Sequence, residues 1–413
     1  MIDEFDAEIL AQRLIRRIEQ ANIYFLTKIG ESVKRIRNLT PEQARQLIQI
    51  LKYGGSYEEI IRQIAKYTGM NVADIEDIFY NYAKKDLNFY KRFYEYRNIP
   101  FIPFDENELI KSQTMALSNI ARSEMYNFTR SNVIGYTIYD VLPNGKKGKP
   151  QFYGLRETYN RVLDEALLNV GQGKETFDSA MKRIMEDIGG SGLKTLNYES
   201  GRAIRLDSAI PMHLKGRLRE LHNENQKIYG EQFGADGVEI SVHSNPAPDH
   251  ELAQGRQFRN EEFEKLQRGE EATDIKGVKV NLDHDHKNGY RPISEMNCYH
   301  YIFSIIVGAD EPSYNEKELK KIIQDNDKGF DYNGKHYTKY QGEQLQRNIE
   351  REVRKQKDIQ ILGRASDNKQ MILDSQQKIT QLTRKYKELS NISGLPTVMQ
   401  RMKVNGYKRV AIK

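Results

Sequence analysis

The chain has 413 residues, 38% of them hydrophobic and 30% charged, with a formal net charge of +6. That length exceeds one ordinary domain of about 100–200 residues, and no run of about eighteen apolar residues occurs, which excludes a membrane-spanning helix. The acidic start Met1-Ile2-Asp3-Glu4-Phe5-Asp6 lacks the basic-then-apolar order of a secretory signal, and the single cysteine, Cys298, excludes an internal disulfide, so a reducing cytoplasm is expected.

Along residues 4–37, Ile9, Leu10, Leu14, Ile18, Ile29, Val33 and Ile36 recur at helical spacing between charged residues, which predicts a long amphipathic helix. Thr40-Pro41 with Gln43 reads as a helix start, with Thr40 as cap and Pro41 in the first turn, where its missing N–H costs nothing. Gly54-Gly55 ends that helix, and Ser56 with Glu59 repeats the capping pattern for a helix to about Tyr67. A further helix over 71–97 carries Ile75, Ile78, Phe79, Tyr82, Phe89 and Phe93, an aromatic stripe suited to core packing. Asn98-Ile99-Pro100-Phe101-Ile102-Pro103 is extended, because each proline restricts its predecessor.

Helices are then expected over 105–130 and, after the turn Pro143-Asn144-Gly145-Lys146-Lys147-Gly148, over 153–171 and 175–188, so that the first half reads as nearly all helical. Gly189-Gly190-Ser191-Gly192 lacks the Gly-Lys-Ser/Thr ending and the preceding strand of a phosphate loop, and reads as helix termination. A helix over 204–233 with Leu214, Leu218 and Leu221 leads to Gly234-Ala235-Asp236-Gly237. The pattern then turns strand-like at Val238–Val242, Gly277–Val280 and Tyr301–Val307. Past Glu311 the chain returns to helix, with polar runs at 340–361 and 367–391 that read as an antiparallel pair. The expected fold is mainly α with a small α+β core domain: helical regions at 1–98 and 99–237, the compact unit at 238–310, and a C-terminal helical region at 311–413.

Residues 334–413 hold 18 Lys/Arg against 7 Asp/Glu, a net +11. Such a tail fits either nucleic acid, where cations near phosphates release counterions, or an acidic protein partner. Arg351, Arg354, Lys355, Lys357, Arg384 and Lys385 are its candidate nucleic-acid contacts.

Seven of the eight histidines, from His213 to His300, crowd the middle of the chain around Cys298. His243, His250, Cys298 and His300 are a candidate zinc set, if the strands bring them together, although their spacing is not that of any common zinc module. The alternative is a set of hydrogen-bonding residues with no metal. Asp249 beside His250 can orient the imidazole, Gly255 permits a tight turn, and Cys298 can serve as a small buried hydrophobe. A nucleophilic Cys298–His300 pair lacks a visible oxyanion element, and no catalytic residue is assigned.

Asp283-His284-Asp285-His286-Lys287-Asn288-Gly289 resembles the core of endonuclease VII-like HNH nucleases, in which histidine activates water beside a divalent metal. The zinc-binding cysteines of those nucleases are missing upstream, and only Cys298 remains downstream, so the metal-dependent nuclease reading stands as the alternative.

A broader pattern runs through Ile240-Ser241-Val242-His243, Ala247-Pro248-Asp249-His250, Gln254-Gly255-Arg256-Gln257-Phe258, Asn297-Cys298-Tyr299-His300 and Val307-Gly308. It is flanked by Tyr198-Glu199-Ser200-Gly201-Arg202 before and by Tyr340-Gln341, Gln344 through Arg354 and Gly394-Leu395-Pro396 after. These ordered blocks, spanning 198–405, resemble the phage minor capsid protein 2 family, which is related in its core block to phage Mu F-like head morphogenesis proteins. The departures are Ala247 and Tyr299, where the family commonly carries basic residues. The resemblance implies a non-enzymatic, low-copy protein of the phage head, made in the host cytoplasm. It also implies a place near the portal, with the portal protein, scaffold, major capsid protein or packaged DNA as partners. His243, Asp249, His250, Gln254, Gly255, Asn297, Cys298 and His300 are the residues it marks as the structural core, with no cofactor beyond the candidate zinc.

Overall fold

A computed structural model describes residues 4–69, 72–130, 133–141, 146–196, 201–282, 291–294, 298 and 300–411. The chain opens with α1 (Glu4–Ile36), whose Leu14, Ile18, Ala21, Phe25, Ile29, Val33 and Ile36 repeat every three or four residues and are all buried. Burying side chains of this size stabilises the fold by about 1.5–3 kcal/mol each, so this face seats the helix. α2 (Pro41–Tyr53) starts on the expected capping box: Gln43 N–H donates to Thr40 Oγ1, and Thr40 N–H donates to Gln43 Oε1.

α3 (Ser56–Thr68) corrects one expectation. Its cap is Gly55, at φ +83, and no side chain caps the helix; Ser56 is already the first helical residue. A left-handed turn suits glycine, so the start falls one residue earlier than the Ser-x-x-Glu pattern suggests. α4 (Val72–Tyr96) packs its aromatic stripe inward, as read from its spacing. After Asn98 and the extended 99–103 segment comes a short 3-10 turn, and α5 (Glu108–Thr129) begins on an Asn107 cap.

The next stretch is not helical. β1 (Ile134–Val141) and β2 (Lys147–Gly154) form an antiparallel hairpin, where the sequence reads as a turn between helices. α6 (Leu155–Asn169) and α7 (Lys174–Ser191) follow, then β3 (Lys194–Leu196) and β4 (Ala203–Arg205), completing a four-stranded sheet of order β2-β1-β3-β4. The first half is therefore a helical frame around a small antiparallel sheet. Phe25 of α1 stacks on Tyr136 of β1 at 5.1 Å, and Asn22 Oδ1 accepts from both Tyr136 OH and Leu193 N–H, each at 3.0 Å.

The Gly189–Gly192 stretch terminates α7 only at Gly192 (φ +63). Gly189 lies inside the helix and has a packing role: a Cβ there would come within 2.9 Å of Ile359 Cα.

α8 (Leu206–Phe233) leads into the central unit. There β5 (Gly237–Ile240) lies between β6 (Gln257–Arg259) and, across a longer connection, β9 (Ile302–Ile305), both antiparallel to it. Between them fall α9 (Asn260–Gln267) and the two-stranded pair β7 (Ala272–Thr273) and β8 (Lys279–Val280). This unit has its own core of Ile240, Ala253, Phe258, Leu266, Ala272, Val280, Leu282 and Ile293. Its β9 edge is also bonded to α8: Ser304 N–H donates to Gln226 Oε1 at 3.1 Å, and Ser304 Oγ donates to Gln226 O at 2.9 Å.

The C-terminal part comprises α10 (Glu316–Lys328), a hairpin of β10 (Phe330–Tyr332) and β11 (Lys335–Tyr337), and the expected antiparallel pair α11 (Lys339–Ala365) and α12 (Lys369–Ser393). α11 packs against α1 and α7 as well as α12. Where α1, α8 and α11 meet, charge is buried: Arg205 Nη2 lies 2.8 Å from Asp207 Oδ2 and 3.1 Å from Asp358 Oδ2, and Arg354 Nη1 lies 3.3 Å from Asp207 Oδ2. Glu19 joins this cluster and accepts from Asn405 Nδ2 at 2.9 Å. Among the described residues no helix is long and apolar enough to cross a membrane.

Candidate functional site: a buried histidine–cysteine cluster

The loop after β5 folds back on itself through backbone bonds. Gly255 N–H donates to Ile240 O at 2.9 Å, and Ser241 N–H donates to Tyr301 O at 2.9 Å, tying the loop to the segment that follows Cys298. Gly255 has φ +70, and a Cβ there would come within 2.4 Å of Leu319 Cδ2, so both conformation and space favour glycine, as its turn role anticipates. His243 N–H donates to Gln254 Oε1 at 2.9 Å, which fixes the orientation of that buried amide.

This folding brings together three of the four candidate metal ligands. His250, Cys298 and His300, exposed by 1%, 1% and 3%, present ligand atoms that all lie within 4.8 Å of one another. Cys298 Sγ is 3.4 Å from His250 Nδ1 and 3.5 Å from His300 Nδ1. The sulfur also accepts from the backbone N–H groups of Ser294 at 3.2 Å and His300 at 3.4 Å. His243 is set one layer out, its ring edge-on to that of His300 with centroids 4.6 Å apart.

The outer ring nitrogens are engaged as well. His250 Nε2 sits 2.6 Å from Arg291 O, and His300 Nε2 sits 3.4 Å from Gln254 Oε1. Asp249 has a different role from the one expected. Its carboxylate is 3.7 Å from His250 Nε2 and is gripped by Arg291, with Nε to Oδ2 at 3.0 Å and Nη2 to Oδ1 at 3.1 Å. The ring of His250 is thus oriented by the Arg291 carbonyl, and Asp249 fixes the arginine. Arg291 and Ser294 escaped sequence reasoning, because a contact through a backbone atom leaves no mark on residue type. Farther out, Arg256 clamps the unit with Asp274 at 2.8 Å and Glu316 at 2.9 Å.

Burial pushes His300 well below the ordinary histidine range, and the neighbouring His243 and His250 rings add to the effect. Burial also raises the Cys298 thiol, against the opposing pull of the two backbone N–H groups. A buried thiol held in its protonated form is a poor nucleophile. The arrangement suits cross-linking of separated segments better than attack on a substrate. Of the other sequence-singled residues, Asn297, Tyr299, His284 and His286 lie outside the described residues, as does the whole 283–290 stretch of the nuclease-like motif.

The six basic candidates divide. Arg351, Arg384 and Lys385 are exposed, and Lys355 is half-buried beside Glu352. Arg354 is engaged by Asp207, and Lys357 Nζ donates to Met402 O at 2.7 Å while lying over the Tyr407 ring, so both are tied into the fold. A groove between α11 and α12 is lined by Lys355, Lys378 and Lys385 with Glu352, Gln356, Gln381 and Leu382. Lys378 was missed, although its seven-residue spacing from Lys385 places both on one helix face.

A family model described as phage minor capsid protein 2 matches residues 6–391. No curated protein and no solved structure matches the chain.

Proposed function

This chain belongs to the phage minor capsid protein 2 family, and from that premise we propose that it is a low-copy structural component of a tailed-phage head, incorporated near the portal during head assembly or DNA packaging and working without catalysis. The observation that carries the reading is the extent of the family relationship, which takes in the helical frame together with the central unit. The burial of Cys298 and His300 supports a non-catalytic role, since neither group is open to a substrate. Exposed Tyr53, Tyr126 and Leu168 on the frame offer apolar docking points for the portal, scaffold or major capsid protein.

The test is quantitative mass spectrometry of purified heads together with capture of the portal protein by this chain. The reading expects its peptides in assembled heads at a small fraction of the major capsid protein's copy number, and binding to the portal. Absence from heads overturns it. The nuclease alternative predicts Mg²⁺-dependent cutting of duplex or branched DNA that His284→Ala abolishes.

A second reading, contact with packaged DNA, is favoured by the groove in which Lys355 of α11 faces Lys378 and Lys385 of α12. Three ammonium groups along one cleft give the spaced positive charge that a phosphate backbone meets.

A further inference from the structure

We propose that His250, Cys298 and His300 hold a zinc ion that staples the 241–256 loop to the strand-forming segment beginning at His300. Neither family membership nor the head-protein reading assigns a metal here, and the inference rests on the geometry alone.

The spacing is the first support. Across a tetrahedral zinc with Zn–S about 2.3 Å and Zn–N about 2.0 Å, sulfur and nitrogen ligands stand about 3.5 Å apart. The two S···N distances are 3.4 and 3.5 Å. The third pair, one ring nitrogen from each histidine, also lies within 4.8 Å, so modest ring rotations complete the set.

The hydrogen-bond polarity is the second support. His250 Nε2 faces the carbonyl of Arg291, an acceptor, so that nitrogen carries the proton and Nδ1 turns a lone pair toward the sulfur. Gln254 Oε1 is fixed as an acceptor by His243 N–H, so His300 Nε2 facing it also carries a proton, and its Nδ1 likewise turns a lone pair toward the sulfur. Two imidazole lone pairs therefore converge on one sulfur, and a thiol has a single hydrogen to give. A divalent cation bound to a thiolate satisfies both. This outer layer, with each ligating imidazole donating its second N–H to a carbonyl oxygen, is what orients histidine on a metal.

The sulfur supplies the third support. It accepts two backbone N–H groups, from Ser294 and His300, which stabilise negative charge on it. Metal binding balances as loss of the Cys298 proton to solvent, with formation of one Zn–S and two Zn–N bonds and a water taking the fourth position. A set of one thiolate and two imidazoles selects zinc over magnesium or calcium, which take oxygen ligands. His243, edge-on to His300, adds a further imidazole at the rim of the cluster.

The test uses the full chain, untagged and purified without chelator. Metal analysis is expected to find roughly one zinc per chain. After the zinc is removed, titration with Co²⁺ is expected to produce a thiolate-to-cobalt charge-transfer band in the near ultraviolet, with visible bands of four-coordinate cobalt. Cys298→Ser is expected to lose the charge-transfer band, and His300→Ala to weaken cobalt binding by about 10-fold or more. Should either variant fail to fold, the unmodified chain decides alone. A folded wild-type chain that contains no zinc and shows no charge-transfer band at saturating Co²⁺ overturns the proposal.

Discussion

His222 Nδ1 on α8 lies 2.8 Å from Asp86 Oδ1 on α4, while Nε2 of the same ring lies 2.9 Å from the carbonyl oxygen of Ile302 on β9. One buried imidazole thereby joins two helices of the frame to the edge strand of the central unit. Removing it leaves a buried carboxylate without its partner, the costly way to break such a pair. His222→Ala is expected to lower stability by about 3 kcal/mol, read from urea denaturation followed by circular dichroism. A loss below about 1 kcal/mol would show that the bridge carries little of the junction.

The buried charge cluster of α1, α8 and α11 sets a pH dependence. Burial, with Asp207 and Asp358 nearby, pushes Glu19 up from 4.5 to about 7, and burial pushes Asp358 up from 3.8 to about 6 against the pull of Arg205. Burial also acts on Asp207, but Arg205 and Arg354 overcome it and hold that carboxyl well below the usual range. Folded Glu19 and Asp358 keep protons that the unfolded chain has released, so their contribution to stability falls as pH rises toward 7. Asp207 works in the opposite sense, and its contribution is lost only as pH falls below 3.8 toward its depressed folded value. Between pH 5 and pH 8 Glu19 and Asp358 together are expected to withdraw about 1–3 kcal/mol, after allowance for the partial exposure of Glu19, while His300, kept neutral by burial, acts in the opposite sense below about 6.5. Glu19→Gln should flatten that slope in thermal melts across the same range. A slope that Glu19→Gln leaves unchanged from the wild type counts against the cluster.

Close approach of α7 and α11 depends on Gly189. Gly189→Val is expected to cost about 2–3 kcal/mol, because the new side chain meets the backbone of Ile359. Gly216→Val on α8 is the control, since nothing lies within 4 Å of a Cβ there. Equal effects of the two substitutions on the urea midpoint would reject the packing explanation.

The α11–α12 groove predicts a division among the basic residues. Replacing Lys355, Lys378 and Lys385 together by alanine should reduce the salt dependence of duplex DNA binding by about 2–3 in slope, in gel shifts at several ionic strengths. Arg354→Ala is expected to act instead through stability, since its guanidinium lies against Asp207. Unchanged binding by the triple variant would direct attention to an acidic protein partner.

Helix boundaries were legible where local chemistry decides them, as in the reciprocal bonds of Thr40 and Gln43. The β1–β2 hairpin was not, for identifiable reasons. β2 is an edge strand with Lys147, Lys149, Pro150 and Gln151, which gives no apolar alternation, and edge position is where a strand tolerates proline. β1 is buried at five successive positions from Ile134 to Ile138, so its period of two is hidden as well. β3 and β4 have three residues each, too few to carry a period. In the central unit, residue types nominated His250, Cys298 and His300, but which of the histidines meet the sulfur depends on a loop closure across 48 residues, beyond any local pattern.

The bond between Asn405 and Glu19 spans 386 positions of the chain, and the seat of α1 is completed by α11 and the segment after it. α1 leaves the ribosome well before α11, so while α3, α6 and α8 can cover part of its apolar face early, the share that α11 covers stays open until that helix is made. At about 5–20 residues per second, the α11 part of that cover arrives on the order of tens of seconds later. A newly made chain therefore carries an incompletely covered α1 face, and with it a risk of aggregation, until α11 has docked.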